Sequence, residues 1–294
     1  MSDRKRARKI LVVANETVGG GALIDAVRAK AEAAVADLQP FNVTVICPQN
    51  RPRRGYVIYD QSARTAAENR LRTTLAQLRA VGVMAEGEVM DPDPYSATMD
   101  ALRHYGADEI VISTFPETRS GWMRRDLIER VRQDSGLPVE HVVVDVEGDG
   151  ATRCLVVANQ TMGGEPLIRA LKAKADESPH TFTVICPLGE SDDGHAAERL
   201  EATIQRLTAE GLEAVGQVMD PDPFTAISNA VQFYPVDEIV ISTLPATRSG
   251  WLRADLIERV RDSTGKRHVV TLSGAMPMKE VRKLSNAIDA VRPD

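Results

Sequence analysis

The segment DEIVISTFPETRSGWMRRDLIERVR, from Asp108 to Arg132, returns almost unchanged as DEIVISTLPATRSGWLRADLIERVR, from Asp237 to Arg261. The two copies are identical at 21 of 25 positions. Each copy joins an apolar run, a polar loop and a charged amphipathic stretch. A repeat this long predicts that the chain folds one supersecondary unit twice.

Further matches extend the repeat to most of the chain. They are ILVVANETVGG (10–20) with CLVVANQTMGG (154–164), TVICP (44–48) with TVICP (183–187), and VMDPDP (89–94) with VMDPDP (218–223). The offset falls from 144 to 139 to 129, so the first copy carries two insertions, the larger containing NRPRRGYVIYD (50–60). Copies of this length are domain-sized. We predict a basic tail (1–8), a first domain (9–146), a linker (147–153), a second domain (154–272) and a C-terminal helix (273–294).

Apolar runs alternate with amphipathic stretches inside each copy. In the first copy we predict strands near 9–14, 42–47, 83–90, 108–114 and 140–146, and helices near 21–37, 62–80, 94–105 and 120–134. Near-continuous runs such as ILVVA and EIVIS are typical of parallel strands buried on both faces. Strand–helix alternation predicts a doubly wound, Rossmann-like α/β sheet in each copy.

Local signals agree with these helices. Asp93 and Asp222 each precede a proline, Pro94 and Pro223, which suits an N-cap followed by the first residue of a helix. Pro166 predicts the start of the first helix of the second copy in the same way.

Composition excludes several classes of function. The net charge of −6 argues against nucleic acid or an anionic membrane as the main partner, and no apolar run is long enough to span a bilayer. Three cysteines are too few for a disulfide framework, which suggests a cytoplasmic location. We find neither a metal-ligand cluster nor a nucleophile–base–orienter set, and therefore expect no metal site, no catalytic residues and no enzyme.

The pattern as a whole resembles the universal stress protein family over about 8–146 and 152–272. The resemblance is carried by the apolar first strand with its polar turn, the Asp-Pro turn before the third helix, and the Arg-Ser-Gly loop after the fourth strand. It implies the strand order 3-2-1-4-5. It also implies antiparallel pairing of the last strands, HVVVDV and HVVTL, here between the two domains of one chain. Association of two chains stays open.

Ligands in such sheets bind beyond the carboxyl ends of the strands, where the strand order reverses. The resemblance places this crevice between the first and fourth strands and implies a nucleotide, with an adenine nucleotide as the candidate cofactor, or another phosphate-bearing metabolite. The predicted ligand-binding residues are Asn15, Thr17, Gly19, Ser113, Thr114, Arg119, Ser120 and Gly121 in the first copy, and Asn159, Thr161, Gly163, Ser242, Thr243, Arg248, Ser249 and Gly250 in the second.

The chain departs from the ATP-binding members of that family. Those members have an Asp after the first strand and a loop G-x-x-G-x9-G-[ST] on the phosphates. Here Asn15 and Asn159 replace the Asp, no glycine pair follows the fourth strand, and Asp126 or Asp255 occupies the late Gly-Ser position. Glycines let backbone N–H groups approach phosphate, and a carboxylate repels it. These departures argue against ATP in the family's usual pose.

Two interpretations of the TRSGW loop stay open. If a helix begins at Ser120, its free N–H groups and the Arg119 guanidinium offer an anion about 2–4 kcal/mol, which corresponds to roughly millimolar affinity. Binding tighter than this requires that a nucleobase or another apolar group of the ligand is buried as well, and the carboxamide of Asn15 or Asn159 could contact such a base. Alternatively, Ser120 only caps a helix and the protein is a ligand-free structural or interaction module, with the arginine-rich insertion at 51–54 as its partner surface.

Two further residue types have simpler interpretations. Cys47 and Cys186 end the second strand of each copy, and we expect small buried residues there and not redox-active thiols. His141 and His268 are predicted to open the last strands and to face the domain junction.

Overall fold

The computed structural model describes residues 6–14, 17, 20–49, 60–115, 126–144, 150–188, 195–244, 255–264 and 268–273. The chain divides into two compact units, residues 1–149 and 150–294, and this division falls inside the predicted linker. The first strand of the second unit begins at Thr152, so the last two residues of the predicted linker belong to a strand. The predicted C-terminal helix beyond residue 273 lies outside the described residues.

Strands and helices alternate in both units. The first unit contains β1 (Arg8–Val13), α1 (Gly21–Ala36), β2 (Phe41–Pro48), α2 (Asp60–Ala80), β3 (Ala85–Met90), α3 (Pro94–Tyr105), β4 (Glu109–Thr114), α4 (Leu127–Ser135) and β5 (Val139–Val143). The second contains β6 (Thr152–Val157), α5 (Glu165–Glu177), β7 (His180–Pro187), α6 (Ala196–Ala209), β8 (Glu213–Met219), α7 (Pro223–Phe233), β9 (Glu238–Thr243), α8 (Leu256–Thr264) and β10 (His268–Ser273).

Each unit contains one five-stranded sheet in which every pairing is parallel. The orders are β3-β2-β1-β4-β5 and, from the opposite edge, β10-β9-β6-β7-β8. The predicted fold class, a tandem α/β protein with sheet order 3-2-1-4-5, is therefore confirmed. The predicted pairing between the last strands of the two units stays a prediction.

The central strands are buried because helices cover both faces of the sheet. In the first unit, Val12 and Val111 pack with α1 and α2, whereas Val13 and Ile112 pack with α3 and α4. All six residues of β4 and of β9, each with the sequence EIVIST, are buried. Burial on both faces explains why these strands have uninterrupted apolar runs without polar alternation.

The predicted caps of the third helix in each unit are confirmed. The Asp93 carboxylate accepts a hydrogen bond from the Ser96 backbone N–H at 3.0 Å, and the Asp222 carboxylate accepts one from Thr225 at 2.9 Å. These bonds satisfy N–H groups that the first turn of a helix leaves without partners.

The prediction of one continuous fourth helix is wrong. We expected a helix over 120–134, but α4 begins at Leu127, directly after Asp126, and residues 120–125 lie outside the described residues. The backbone of Asp126 has a φ of 47°, in the left-handed region, and Asp255 before α8 has a φ of 48°. A left-handed residue interrupts an α-helix, and Asp tolerates this conformation better than most residues.

An ion network around the buried carboxylate of Glu109 lies at the amino ends of the strands in the first unit. Glu109, the first residue of β4, contacts Arg8 at 2.7 Å and Lys30 at 2.6 Å, and Lys30 also contacts Glu140 at 2.7 Å. Burial works to lower the pKa of Lys30, but hydrogen bonds to Glu109 and Glu140 outweigh it and raise the pKa above its usual value.

The equivalent network of the second unit has one fixed cation fewer. Glu238 contacts Lys174 at 2.8 Å and the His180 ring at 3.7 Å, and His180 is charged only when protonated. Thr152 occupies the position of Arg8 in the repeat. Lys174 is therefore the main counter-charge of Glu238.

We predict that replacing Lys174 with Met destabilises the chain by about 1 kcal/mol more than replacing Lys30 with Met. Glu109 keeps the Arg8 guanidinium when Lys30 is lost, whereas His180 is the one basic side chain that Glu238 keeps among the described residues. Urea unfolding of both variants at about pH 8, where an ordinary histidine is largely neutral, measures the difference. Equal losses in the two variants would show that Arg8 does not compensate.

Candidate functional site

The turn after the first strand meets the end of the fourth strand in both units. The Thr17 hydroxyl donates to the Ser113 carbonyl at 3.2 Å, and the Thr161 hydroxyl donates to the Ser242 carbonyl at 3.0 Å. These contacts lie at the carboxyl ends of two neighbouring strands, β1 and β4 in the first unit and β6 and β9 in the second. The strand order reverses between these neighbours. Four of the predicted residues are thus brought together as two equivalent pairs.

Glycine is required where the turn of the first unit enters its first helix. The Gly20 N–H donates to the Thr17 carbonyl at 3.2 Å, and the Gly164 N–H donates to the Thr161 carbonyl at the same distance. A Cβ at Gly20 would lie 2.3 Å from Cγ1 of Val144, closer than van der Waals contact allows, whereas a Cβ at Gly164 would lie 3.0 Å from the Thr161 carbonyl oxygen. Gly20 therefore has a packing role that does not depend on a ligand.

The carboxamide of Asn159 is hydrogen-bonded within the second unit. Its Nδ2 donates to the Pro187 carbonyl at 2.9 Å, and its Oδ1 accepts from Arg199 at 3.3 Å. One N–H and one lone pair of the carboxamide remain for a ligand. The predicted contact between Asn159 and a base would have to use these.

Arg199 is a residue of the crevice that the sequence analysis missed. It lies on α6, and Arg70 occupies the equivalent position on α2, at the same offset of 129 as the Asp-Pro turn. The Arg70 residue is 5% exposed. The sequence signal for this residue was that an Arg-Leu pair, Arg70-Leu71, returns as Arg199-Leu200 at that offset. The other charged residues of these helices are mostly exposed.

A second arginine of α6 holds the same turn of the second unit. Arg206 donates from Nη1 to the Gly163 carbonyl at 2.8 Å and pairs with Glu165. Gly163 has a φ of 67°, which favours glycine. The first unit has Gln77 in place of Arg206 and Gly21 in place of Glu165, so the charged pair of the second unit has no counterpart in the sequence of the first.

The hydroxyl groups at the ends of β4 and β9 are buried, but their surroundings differ. The Thr114 hydroxyl lies 3.0 Å from the Phe115 carbonyl, to which it donates, and 2.7 Å from Nε2 of His141. The direction of this second hydrogen bond depends on the tautomer of the His141 ring. In either direction, the Thr114 hydroxyl has a side-chain partner on β5.

The prediction for His141 is wrong in its position. His141 is the third residue of β5 and lies opposite Ile112, whereas His268 is the first residue of β10 and lies opposite Glu238. In the second unit, Thr271 lies opposite Ile241 and therefore takes the place of His141. The matching HVV segments are shifted by three residues between the sheets.

Half of the predicted ligand-binding residues lie outside the described residues. They are Asn15, Gly19, Arg119, Ser120, Gly121, Arg248, Ser249 and Gly250. The anion site of the TRSGW loops and the partner surface at 51–54 remain predictions with them.

Cys47 and Cys186 are buried core residues, as expected. Burial raises the pKa of the Cys47 thiol, although the neighbouring Arg70 acts in the opposite direction. Burial and the nearby Glu238 carboxylate raise the pKa of Cys154 well above its usual value. A thiol with a raised pKa is protonated at neutral pH and is a poor nucleophile.

The described residues contain neither of two features that other functions would require, a cluster of metal ligands and a membrane-spanning helix. Within these ranges, no group of three or more His, Cys, Asp or Glu side chains is arranged to hold a metal ion. None of the helices in the described part of the chain is long and apolar enough to cross a membrane.

No family model and no curated protein matches the chain, but its structure is similar to solved universal stress proteins. One from Archaeoglobus fulgidus aligns over 47% of this chain and 94% of its own, with 19% identity and a TM-score of 0.35. Another, from Archaeoglobus fulgidus DSM 4304, aligns over 91% of this chain and 97% of its own, with 15% identity and a TM-score of 0.35. A member of the family from Burkholderia pseudomallei aligns over 46% of this chain and 94% of its own, with 20% identity and a TM-score of 0.32. Identities this low concern the fold and not the activity.

We predict that the cysteines of the native protein do not react with a thiol-specific reagent such as DTNB at neutral pH within minutes. All three are buried, and a protonated, inaccessible thiol does not attack the reagent. The same titration in guanidinium chloride should release three equivalents. Rapid reaction of Cys47 or Cys186 in the folded chain would reopen a redox role at the crevice.

Proposed function

We propose that the chain is a tandem regulatory or binding protein of the universal-stress type. Its crevices at the carboxyl edges of the sheets take a nucleotide or another phosphate-bearing metabolite. The observation that carries this proposal is the pair of contacts Thr17–Ser113 and Thr161–Ser242. In both units the contact lies where the strand order reverses, which is where open α/β sheets bind their ligands.

The chemistry of the second crevice suits such a ligand. Thr161, Asn159 and Arg199 all lie on or next to the turn after β6, and Arg199 already reaches the Asn159 carboxamide. A guanidinium can contact a phosphate through paired N–H groups, and a carboxamide can both donate to and accept from a base. These groups support binding and positioning.

A binding role is favoured over an enzymatic one by the groups at the crevice. Thr161, Asn159 and Arg199 can hold a ligand, whereas burial raises the pKa of the Cys47 thiol, which makes it a poor nucleophile. Cytoplasmic location, a role in the stress response and dimer formation belong to the same proposal.

A ligand-free interaction protein of the same fold is the second candidate. The specific observation in its favour is the Asn159 carboxamide, whose two ends both contact the protein itself. In this case the crevice residues only hold the turn in place, and the insertion at 51–54 is the candidate partner surface.

Native mass spectrometry of freshly purified protein tests the choice between these candidates. We expect a retained mass that corresponds to a nucleotide or phosphate-bearing metabolite, and a rise in melting temperature when the same compound is added back, because binding to the folded state stabilises it. A bare chain with no thermal shift from a nucleotide panel would contradict ligand binding and favour the interaction protein.

Replacing both Arg119 and Arg248 with Ala should weaken binding of that compound by about tenfold or more, the effect of losing a charged hydrogen bond. The matched control replaces Arg132 and Arg261, which lie on α4 and α8 of the same repeated segment. Isothermal titration calorimetry of both double variants measures the effect. Unchanged affinity in the first double variant would remove the proposed role of the TRSGW arginines.

A further inference from the structure

We propose that the second unit has a docking surface for the chain's own C-terminal segment, residues 274–294. This surface, the α7–β8 face, is formed by the outer side of α7 and the edge strand β8. Its residues are Val215, Gln217, Asn229, Gln232 and Phe233. The inference goes beyond the proposed function and does not depend on a ligand, because it rests on a comparison of the two units.

The α7–β8 face has no ionisable side chain at its five positions, whereas the first unit has one at each of them. The corresponding pairs at the repeat offset of 129 are Glu86 and Val215, Glu88 and Gln217, Asp100 and Asn229, Arg103 and Gln232, and His104 and Phe233. An ionised side chain without a partner is costly to bury. Loss of every charge from one face therefore suits a surface that another part of the protein covers.

The five residues are adjacent in the fold. Asn229 and Phe233 are four residues apart on α7 and therefore share one side of the helix. Val215 and Gln217 are two residues apart on β8 and therefore point to the same side of the sheet. The Tyr234 hydroxyl, directly after α7, donates to Oε1 of Gln217 at 2.8 Å, which connects the helix to the strand.

The α7–β8 face is more buried than its counterpart in the first unit at all five positions. Phe233 is 1% exposed and Gln217 is 2% exposed, whereas His104 and Glu88 are exposed. The helices pack on equivalent neighbours in the two units, α3 on α4 and β2, and α7 on α8 and β7. These shared neighbours do not account for the difference, so we infer an additional cover that the first unit lacks.

The C-terminal segment is the part of the second copy that has no counterpart in the first. Val281, Leu284, Ile288 and Val291 are separated by three, four and three residues, a spacing that predicts one apolar stripe on an amphipathic helix. A stripe of this kind requires an uncharged surface to pack on. The α7–β8 face is such a surface.

The segment is long enough to reach this face. β10 ends at Ser273, and 21 residues follow it. Three extended residues and a helix of four turns reach about 30 Å. The distance from β10 to β8, across a sheet of five strands, is about 20 Å.

A cover over β8 also protects an edge strand. Exposed edges invite pairing with other chains, and proteins protect them with charged side chains or with a covering helix. Glu86 and Glu88 supply the charges on β3 in the first unit. The second unit has no charge at these positions, and the docked segment takes over their role.

The first arm of the test places the photo-crosslinking residue p-benzoylphenylalanine in the full chain, at Phe233 in one variant and at His104 in the matched control. After irradiation, peptide mass spectrometry should find cross-links from the first position to residues 274–294 of the same molecule, and none to that segment from the control. Cross-links from the first position to another segment or to a second chain would overturn the inference, as would the absence of any cross-link.

The second arm measures hydrogen exchange in the full chain. Leu284→Gln combined with Ile288→Gln disrupts the apolar stripe and should speed exchange in α7 and β8 by about tenfold, because the cover is lost. Exchange in α3 and β3 should not change. The control, Arg282→Gln combined with Asn286→Gln, lies on the opposite side of the predicted helix and should leave α7 and β8 unchanged. Unchanged exchange in the stripe variant, or an equal increase in the control, would contradict docking.

Discussion

The central strand of each sheet is paired in parallel on both sides, and this constraint organises the rest of the unit. β1 lies between β2 and β4, and β6 lies between β7 and β9. Parallel strands need crossover connections, and right-handed crossovers that leave in opposite directions place their helices on opposite faces of the sheet. The chain therefore leaves the central strand towards one face of the sheet and leaves the fourth strand towards the other. The hydroxyls of Thr17 and Thr161 connect these two strand ends by a hydrogen bond.

The two ends of each sheet have different chemistry as a result. At the amino ends, the carboxylates of Glu109 and Glu238 are neutralised by lysines from the first helix of the unit, which stabilises the packing of helix on sheet. At the carboxyl ends, the polar groups include the buried hydroxyls of Thr114 and Thr243 and the half-buried carboxamide of Asn159. The amino end therefore serves stability, and the carboxyl end is the one suited to recognition.

Duplication allows one unit to serve as the control for the other. The strands EIVIST are identical, yet Thr114 has a histidine partner and Thr243 does not. Arg206 holds the turn after β6, whereas Gln77 occupies its place in the first unit. These differences lie in the neighbours of the repeated segments and not in the segments themselves.

The fold could be predicted from the sequence because its signals are local. Apolar runs such as ILVVA mark strands covered on both faces, and Asp93 with Pro94 marks a helix start. The start of α4 could not be predicted, because the charged pattern continues through Asp126 while its backbone turns left-handed. The partner of Thr114 was missed because a shift of register between strands leaves no trace in the matching letters HVV. Arg199 was missed because, in the sequence, a half-buried arginine on a charged helix resembles an exposed one.

The most direct test of binding at the reversal of strand order is an NMR titration of the isotopically labelled full chain with ATP. The account predicts that the largest amide shifts fall at the carboxyl ends, at Thr161, Ser242 and their equivalents Thr17 and Ser113. Shifts confined to the amino ends near Glu109 and Glu238, or to the outer faces of the helices, would contradict it.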